Sequence, residues 1–367
     1  MRILIAPDKF KGALSGREVA DSIAAGLREV LPSARIDIAP MADGGEGTAE
    51  VISQALGAVW LKCKAHDPLS REIEAGYGWI ENQKLAVMEM SEAAGMRRLR
   101  PNEYDVDLAS TLGVGEMILD AAERDAQQII IGLGGSATND GGFGMARALG
   151  FRFEQEQEHE RKRVSDLITL RRIEKPKDLK LPGIVAAVDV RNRLLGENGA
   201  TRVFGSQKGA TPDQIKDLER ALAKLADVLA EQFGFDYREQ PGAGAAGGLG
   251  FGLMSFCGAT IRQGFDVVAE STGLEAKMKD VDLVITGEGS LDRQTLEGKT
   301  PAGVARLARK LSKRVFAMVG RATDDVEVRE VFDGVYQNAR SGMSQEENMK
   351  KAGELLRGNA RELARSL

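Results

Sequence analysis

The chain has 367 residues, of which 43% are hydrophobic and 29% are charged, values that are ordinary for a globular protein. Its 50 basic and 55 acidic residues give a net charge of -5, which excludes a broad basic surface for nucleic acid or an anionic membrane. Two cysteines are too few for a disulfide framework, and two histidines exclude a histidine-rich metal site. The length predicts about two domains, each able to bury a full core.

The first residues form a short apolar run that Pro7 interrupts. This pattern predicts a strand at the start of the fold and not the hydrophobic region of a secretory signal. Elsewhere the sequence has no uninterrupted apolar segment near the roughly 18 residues that a membrane helix needs. We therefore expect a cytoplasmic protein without a membrane partner.

A strand is predicted over residues 2–6, followed by a helix over 16–31 that opens with a capping box of Ser15 and Glu18. The loop between them lies at the carboxyl end of the strand and carries Asp8 and Lys11. Ligands of open α/β sheets gather at that edge, so the loop is a candidate site. The alternative is that Asp8 caps a turn and the lysine is solvated.

A second strand over residues 36–39 leads into a glycine loop that holds Asp43 and Glu46, before a helix over 48–56. Two carboxylates beside backbone amides would repel a phosphate unless a cation lay between them. The pair therefore indicates Mg²⁺ or a hydroxyl-bearing substrate. Alternatively, both side chains only cap the helix.

Between residues 58 and 90 the pattern changes to three short alternating runs that turn residues separate. This is typical of an antiparallel meander, and it breaks the alternation of strand and helix. We expect the chain to leave its first domain here.

The most prominent glycine loop, GLGGSATNDGGFG at residues 132–144, lies between a strand predicted over 128–131 and a helix over 145–149. Glycines let backbone N–H groups approach a ligand, and Ser136, Thr138, Asn139 and Asp140 add polar groups to the lining. The helix N-terminus behind the loop favours an anion, so the loop predicts a phosphate site. The alternative is a tight turn that needs glycine only for its dihedral angles.

The next segment, residues 154–180, is densely charged and aperiodic, and we interpret it as a surface excursion without a function. A buried strand over 184–190 then brings Asp189 to its end, and a long helix begins at the Thr211 cap. A third glycine run occupies residues 241–252.

From residue 281 the chain returns to regular alternation, with strands over 282–286, 315–319 and 334–336, a helix over 301–311 and a last helix capped by Ser344. The loop over 287–300 carries Glu288, Asp292 and Lys299. These side chains are candidate metal or substrate ligands, or they only cap the following helix.

This pattern predicts an α/β fold of two unlike α/β domains. A Rossmann-like parallel-sheet domain is formed by both termini, residues 1–70 and 278–367. Residues 71–277 form an inserted mixed α/β domain that carries glycine-rich loops.

Two dinucleotide-binding fingerprints are incomplete. Gly132-x-Gly134-x-x-Ala137 follows a predicted strand but lacks an acidic residue at the end of the next strand. Gly242-x-Gly244-x-x-Gly247 has no strand before it. A nicotinamide enzyme would need one complete site.

A P-loop is also incomplete, because Arg293 stands where the first glycine is required before Gly298-Lys-Thr300. What the loops do supply is glycine amides, carboxylates and lysines. Phosphoryl transfer uses that set, since it needs electrostatic clamping of the transferred group, Mg²⁺ and an acid that orients or deprotonates a hydroxyl.

Six segments, found in the same order, resemble the bacterial glycerate kinases of the first type: Ala6-Pro-Asp-Lys-Phe-Lys-Gly12, Pro40-Met-Ala-Asp-Gly-Gly-Glu-Gly-Thr48, Gly132-Leu-Gly-Gly-Ser-Ala-Thr-Asn-Asp-Gly-Gly142, Val203-Phe-Gly-Ser-Gln-Lys-Gly-Ala210, Pro241-Gly-Ala-Gly-Ala-Ala-Gly-Gly248 and Asp282-Leu-Val-Ile-Thr-Gly-Glu-Gly289. The resemblance implies phosphorylation of D-glycerate by ATP, usually to 2-phosphoglycerate, with Mg²⁺ and in the cytoplasm. It also implies an active site in the cleft between two unlike α/β domains. We expect a monomer or homodimer.

Within this resemblance, we assign the nucleotide phosphates to the amides of Gly134, Gly135 and Ser136, with Asn139 nearby. Asp189 is the candidate Mg²⁺ ligand or base. Lys11 and Lys208 are candidates for the cation that holds the glycerate carboxylate, while Asp8, Asp43 or Glu288 suit its hydroxyls. The catalytic candidates are Asp189, Lys11 and Asp8. The substrate-binding candidates are Asp43, Glu46, Lys208, Glu288 and Asp292.

The sequence departs from the family pattern at two places. Arg193 and Ser206 each stand where the family commonly has proline. A loop that loses a proline is more flexible. The substrate specificity that the resemblance implies near Asp189 is therefore less certain than the class of reaction. The alternative functions are a dinucleotide-dependent oxidoreductase of a small hydroxy acid and a non-enzymatic regulator that binds a sugar acid.

Overall fold

The computed structural model describes residues 1–155, 163–340 and 342–367, and His159 lies outside these ranges. Within them the strands are β1 (Arg2–Ile5), β2 (Arg35–Ile38), β3 (Val59–His66), β4 (Glu72–Ile80), β5 (Leu85–Glu89), β6 (Gln128–Gly132), β7 (Arg152–Gln155), β8 (Leu170–Glu174), β9 (Gly183–Val188), β10 (Thr260–Gln263), β11 (Leu283–Leu291), β12 (Arg314–Ala322) and β13 (Gly334–Gln337). The α-helices are α1 (Gly16–Val30), α2 (Thr48–Leu56), α3 (Ser91–Ala94), α4 (Leu112–Glu123), α5 (Phe143–Ala148), α6 (Ala200–Phe204), α7 (Pro212–Phe233), α8 (Ala245–Cys257), α9 (Gly264–Ser271), α10 (Leu274–Lys279), α11 (Thr300–Lys310), α12 (Val326–Arg329), α13 (Gln345–Lys350) and α14 (Ala352–Ser366).

The chain divides into two compact units. The first comprises Met1–Asp43 and Gln263–Leu367, and the second comprises Gly44–Arg262. The predicted fold class is confirmed, because a parallel-sheet unit formed by both ends of the chain accompanies a continuous unit with a mixed sheet. The predicted boundaries at residues 70 and 278 differ from this division. The difference at the first boundary arises because β3 pairs along its whole length with β4, so that it belongs with the second unit.

A five-stranded sheet in the order β13-β12-β11-β1-β2 forms the centre of the first unit. All its neighbouring strands are parallel. Ile3 and Ile5 are fully buried in it, as apolar residues are in a sheet that helices cover. Helices α1 and α14 pack closely, since a Cβ at Gly26 would lie only 2.2 Å from the carbonyl oxygen of Arg357. The predicted capping box of Ser15 opens α1.

The second unit has a six-stranded sheet in the order β10-β9-β6-β5-β4-β3. The predicted meander is confirmed, because β3, β4 and β5 pair antiparallel. Strands β5, β6 and β9 are parallel. The predicted apolar stripe of α7 lies in the core, where Leu218, Leu222, Leu225 and Leu229 are buried. Parallel strands again bring their carboxyl ends to one edge, which is where the main glycine loop begins.

The interpretation of residues 154–180 as a surface excursion is wrong for much of the described part of that segment. Strands β7 and β8 pair there, and Leu167 and Leu170 are fully buried. The amide of Ile173 donates to Gln232 Oε1 at 2.8 Å, which ties β8 to α7. Charged residues hide this pattern in the sequence because they alternate with the few apolar anchors. Residues 156–162 lie outside the described ranges.

Strand β11 has nine residues, begins one residue after the start of the predicted strand over 282–286 and ends five residues beyond it, so that it includes Gly287, Glu288 and Gly289. Its partner β12 extends equally far, so that Ser290 pairs with Arg321. In the described part of the chain, every helix is too short or too polar to cross a membrane.

Candidate functional site

The parallel sheet of the first unit reverses its order between β1 and β11. From β1 the chain continues through α1 to β2 on one side, and from β11 it continues through α11 to β12 and β13 on the other. The carboxyl ends of two strands that lead away from each other leave a crevice, where open α/β sheets bind ligands. Asp8 follows β1 at this crevice, and Glu288 lies near the carboxyl end of β11.

A cavity of about 630 Å³ opens at this edge of the sheet. Its lining includes three of the carboxylates that the sequence singled out, and four cationic side chains: Asp8, Asp43, Glu288, Lys9, Lys11, Lys299 and Arg321. The structure therefore brings Asp8, Lys11, Asp43 and Glu288 together, as expected of residues that share one substrate.

Asp8 is a buried carboxylate that two hydrogen bonds hold in place. Its Oδ2 accepts a hydrogen bond of 2.6 Å from the hydroxyl of Thr300, and its Oδ1 accepts one of 2.7 Å from the amide of Lys9. Burial and the nearby Asp43 raise the pKa of Asp8 to about 8, although both hydrogen bonds oppose the shift. A carboxyl group with a pKa near the working pH is suited to proton transfer.

Thr300 contacts Asp8, but no sequence motif predicted it as a site residue. The segment that contains it, Gly298-Lys-Thr300, matches only the end of a P-loop. Thr300 is the first residue of α11 and is fully buried. Its role at Asp8 follows from packing and not from the spacing of a motif.

Glu288 is buried in β11 and not in a loop, which corrects the sequence-based placement. The hydroxyl of Thr295 donates to Glu288 Oε1 at 2.5 Å. Burial raises the pKa of Glu288 to about 7, with Thr295 and Lys299 opposing the shift. Two carboxyl groups with raised pKa values therefore face one cavity, a combination that is common at functional sites.

Asp292 and Glu46 do not line this cavity. Asp292 accepts a hydrogen bond from the amide of Gln294 at 2.9 Å and caps the short 3₁₀ turn Arg293–Glu297, not the helix that follows it. Glu46 belongs to the second unit, where its Oε1 lies 3.9 Å from the guanidinium of Arg97.

The glycine loop of the second unit begins where β6 ends. Within the described residues, the backbone N–H groups of Gly134, Gly135 and Ser136 donate no hydrogen bond. Gly135 has a φ of +71°. A Cβ at Gly134 would lie 2.4 Å from the Cα of Gly45, so only glycine allows this approach. Three backbone N–H groups without an acceptor among these residues, in one short turn, are suited to bind an anion.

Lys208 lies against the same loop. Its ammonium group is almost fully buried and donates to Ser136 Oγ and to the carbonyl oxygen of Thr138, both at 2.7 Å. Burial lowers the pKa of Lys208 to about 7, while Asp140 opposes the shift. The sequence assigned Lys208 to glycerate, but its observed partners belong to the loop assigned to phosphates.

Asn139 is fully buried, and its side-chain amide donates to the hydroxyl of Thr201 at 2.9 Å. Its Oδ1 and the neighbouring Thr138 Oγ1 are buried without a hydrogen-bond partner among the described residues. Unpaired polar atoms are costly inside a protein, and they mark places where a ligand or water completes the structure.

Asp140, which the sequence placed in the phosphate-binding lining, has a structural role instead. Its carboxylate accepts hydrogen bonds from the amide and hydroxyl of Thr111 and from the amides of Gly142 and Gly144. These bonds fix the turn that begins α5. Burial raises the pKa of Asp140 against the effect of these bonds.

The third glycine run packs against this loop. A Cβ at Gly247 would lie 2.0 Å from the carbonyl oxygen of Thr138, and one at Gly252 would lie 2.7 Å from the Cα of Gly142. The amide of Gly141 also donates to the carbonyl of Gly247 at 3.1 Å. The glycines of the third run therefore allow the backbone of α8 to pack closely against the main glycine loop.

Neither dinucleotide fingerprint has the required context. The loop after β6 continues past Ala137 to Gly142 before α5 begins at Phe143, so the motif does not open a helix directly. In the second motif, Ala246, Gly247 and Gly248 have left-handed backbone angles inside α8. The structure thus offers no support for a nicotinamide site at these glycines.

Asp189 directly follows β9 and is half-buried. Among the residues that the structure describes, no group of three or more histidine, cysteine, aspartate or glutamate side chains is arranged to hold a metal ion. Mg²⁺ in nucleotide enzymes is commonly held by one or two carboxylates together with phosphates and waters. The carboxylate of Asp189 is a donor of the type that such an ion takes.

Comparisons with known proteins agree with the resemblance found in the sequence. The model of the glycerate kinase family matches residues 3–367. A glycerate kinase of Halalkalibacterium halodurans is 40% identical over 368 residues, covering 99% of this chain and 97% of that protein. A glycerate 2-kinase of Escherichia coli K12 is 42% identical over 332 residues, covering 89% and 87%.

A crystal structure from Salmonella typhimurium LT2, described as a glycerate kinase 2, matches this fold with a TM-score of 0.86. The two chains are 40% identical, and the match covers 100% of this chain and 98% of that one. The predicted relationship is confirmed by sequence and by fold. The chain belongs to the glycerate kinase family.

Proposed function

We propose that this protein transfers the γ-phosphoryl group of ATP to D-glycerate and that the acceptor is the 2-hydroxyl group. Family membership supports the reaction, and the similarity to a glycerate 2-kinase supports the position. The structural observation that carries the proposal is the crevice between β1 and β11, where buried Asp8 and Glu288 face a cavity lined by lysines. Carboxylates beside cations suit a substrate that carries both hydroxyl groups and a carboxylate.

Asp8 is the proposed base. The 2-hydroxyl oxygen bonds to the γ-phosphorus, the bond from that phosphorus to the leaving oxygen of ADP breaks, and the hydroxyl proton passes to Asp8. The carboxylate form of Asp8 becomes more abundant as the pH rises through its pKa of about 8. Lys11, which lines the same cavity, is the proposed partner of the glycerate carboxylate. Asp43 and Glu288 are proposed to orient the substrate hydroxyls.

We further propose that the nucleotide phosphates bind the amides of Gly134, Gly135 and Ser136, with Asn139 nearby. The unused N–H groups of the loop support this assignment. Bound together with ATP, Mg²⁺ would supply neutralisation of the phosphate charge during transfer. Asp189 remains the candidate Mg²⁺ ligand or base, and Glu46 and Asp292 remain weaker substrate-binding candidates.

Three parts of the proposal come from the sequence and the family alone. These are a reaction that takes place between two domains, a monomeric or homodimeric state and a cytoplasmic location. Each of them stays a proposal.

The test is the rate of ADP release from MgATP with D-glycerate, L-glycerate or no acceptor, for the wild type and for D8N. We expect release to depend on D-glycerate and to fall by at least about a hundredfold in D8N, because the base is lost. The matched control is D21N, which replaces an exposed aspartate on α1. Full activity in D8N would contradict the role of Asp8, and the absence of acceptor-dependent release would contradict the reaction.

A further inference from the structure

Lys208 is a buried cation, and none of its hydrogen-bond acceptors among the described residues is a carboxylate. The residue is only 3% exposed, and its two acceptors, Ser136 Oγ and the carbonyl oxygen of Thr138, are both neutral. Asp140 is the charged group that acts on it from the same loop. The oxygens of Asp140 are already bonded to Thr111, Gly142 and Gly144. An ammonium group in this position is poorly compensated, because its charge is buried among neutral dipoles.

The surroundings of Lys208 are arranged to receive an anion. The loop that it contacts has three unused backbone N–H groups at Gly134, Gly135 and Ser136 among the described residues. Thr138 Oγ1, beside the carbonyl that Lys208 contacts, is fully buried and has no hydrogen-bond partner in the described part of the chain. These donors and the lysine converge on one loop, which a phosphate group would satisfy together.

The turn that carries Lys208 holds the lysine in place. The amide of Lys208 donates to the Gly205 carbonyl at 3.0 Å. Gly209 follows with a φ of +90°, and a Cβ there would lie 3.0 Å from the carbonyl oxygen of Tyr104. The backbone therefore presents the lysine to the glycine loop through a conformation that favours glycine.

We propose that Lys208 is the counter-ion of the nucleotide phosphates and that it takes up a proton when they bind to the glycine loop. The inference rests on the proposed nucleotide site and replaces the earlier assignment of Lys208 to the glycerate carboxylate. A phosphate a few ångströms away stabilises the charged ammonium group strongly, since little water separates the two charges. ATP binding is then linked to the protonation of this one side chain.

The direction of the linkage follows from burial. Before ATP binds, the pKa of Lys208 is about 7, so the amine is mostly neutral at pH 8 and mostly charged at pH 6. After binding, the amine is charged at both values. Lys208 should therefore take up roughly one proton on ATP binding at pH 8 and almost none at pH 6.

The test is isothermal titration calorimetry with ATP and no acceptor, at pH 8, in HEPES and in Tris. The two buffers differ in ionisation enthalpy, so the difference between the measured enthalpies counts the protons exchanged. The phosphates of ATP are fully ionised at pH 8 and contribute no proton. We expect uptake of about 0.5 to 1 proton by the wild type. In K208M we expect no uptake and an affinity at least roughly tenfold weaker.

Two controls separate Lys208 from other groups. K216M removes an exposed lysine of α7 and should keep both the affinity and the uptake. The double variant D8N/E288Q removes the two carboxyl groups whose pKa values are about 8 and about 7, and it should also keep the uptake. If K208M does not fold, K208R decides, because its side chain is charged at every pH used and should bind ATP without proton uptake at pH 8.

Several results would overturn the inference. ATP binding with equal enthalpies in both buffers at pH 8, or uptake that persists in K208M, would exclude protonation of Lys208. Uptake on titration with D-glycerate alone, removed in K208M, would return Lys208 to the glycerate carboxylate. If ATP does not bind to the wild type at all, both this inference and the proposed kinase function are contradicted.

Discussion

The hydroxyl of Thr300 donates to Asp8 Oδ2 at 2.6 Å, although 292 residues separate the two in the chain. Asp8 follows the first strand of the sheet, and Thr300 begins a helix that follows the strand on the other side of the crevice. Both side chains are buried. The hydrogen bond favours the ionised form of Asp8 and so opposes the effect of burial on its pKa.

Replacement of Thr300 by valine should therefore move the pH dependence of the reaction. Without the hydroxyl, the pKa of Asp8 rises further above about 8, and less of the proposed base is ionised at neutral pH. We expect kcat/KM of T300V to fall near pH 7 and to recover at higher pH, with its midpoint shifted upward by about one pH unit. T300S keeps the hydroxyl and should follow the wild-type profile. A T300V profile lowered equally at every pH would show that Thr300 acts only on packing.

Replacement of Asp8 by asparagine should stabilise the protein at high pH. The pKa of Asp8 is raised from 3.8 to about 8, so the folded state binds more protons than the unfolded state between these values. Wild-type stability is consequently lost as the pH rises from about 4 to about 8. D8N does not ionise, and its stability relative to the wild type should increase by at least about 1 kcal/mol from pH 5 to pH 8.

Thermal unfolding of both proteins at pH 5 and pH 8 measures this difference. D21N, on the exposed face of α1, serves as the control for loss of an aspartate. An equal difference between D8N and the wild type at the two pH values would mean that Asp8 ionises normally in the folded protein.

Loss of the Asp140 carboxylate should be among the most destabilising single changes in the second unit. D140A leaves the donors of Thr111, Gly142 and Gly144 unpaired in a buried place. We expect a cost of about 3 to 5 kcal/mol, because the stranded donors lose solvation as well as partners. Urea unfolding followed by circular dichroism measures the cost. A loss below about 1 kcal/mol would show that water replaces the carboxylate.

Replacement of Gly134 by alanine should weaken ATP binding. The added Cβ would lie 2.4 Å from the Cα of Gly45, so the loop must shift and its amides lose their arrangement. G183A is the matched control, since a Cβ there meets only an ordinary contact of 3.7 Å with the carbonyl of Gln127. Equal ATP affinities of G134A and G183A in calorimetric titrations would exclude this loop as the phosphate site.

Much of the fold could be predicted because local signals agree with it. The capping boxes at Ser15, Thr211 and Ser344 are all formed, and the helix predicted over residues 48–56 has the observed bounds. Alternating apolar residues likewise predicted the antiparallel pairing of β3 and β4. Each of these signals acts within a few residues, so the sequence displays it directly.

The missed features depend on contacts between distant parts of the chain. Glu89 accepts hydrogen bonds from the amides of Gly47 and Ala49 and so caps α2, whereas the alternative interpretation of the sequence assigned this role to Asp43 and Glu46. Thr300 at Asp8 and Lys208 at Ser136 are likewise pairs with large sequence separation. The role of a glycine could not be predicted from the sequence, because glycines serve two purposes in this fold. Gly135 lies in a turn whose amides have no acceptor in the described part of the chain, whereas Gly247 allows close packing against the backbone of Thr138.

The central claim is that D-glycerate is the acceptor and that its 2-hydroxyl is phosphorylated. The most direct measurement is proton-coupled phosphorus NMR of the product formed from MgATP and D-glycerate by the wild-type protein. If the 2-hydroxyl is the acceptor, we expect a phosphomonoester signal that the single proton at C2 splits into a doublet, together with stoichiometric ADP. A triplet from the two protons at C3 would contradict the position of transfer, and the absence of any new phosphomonoester would contradict the reaction itself.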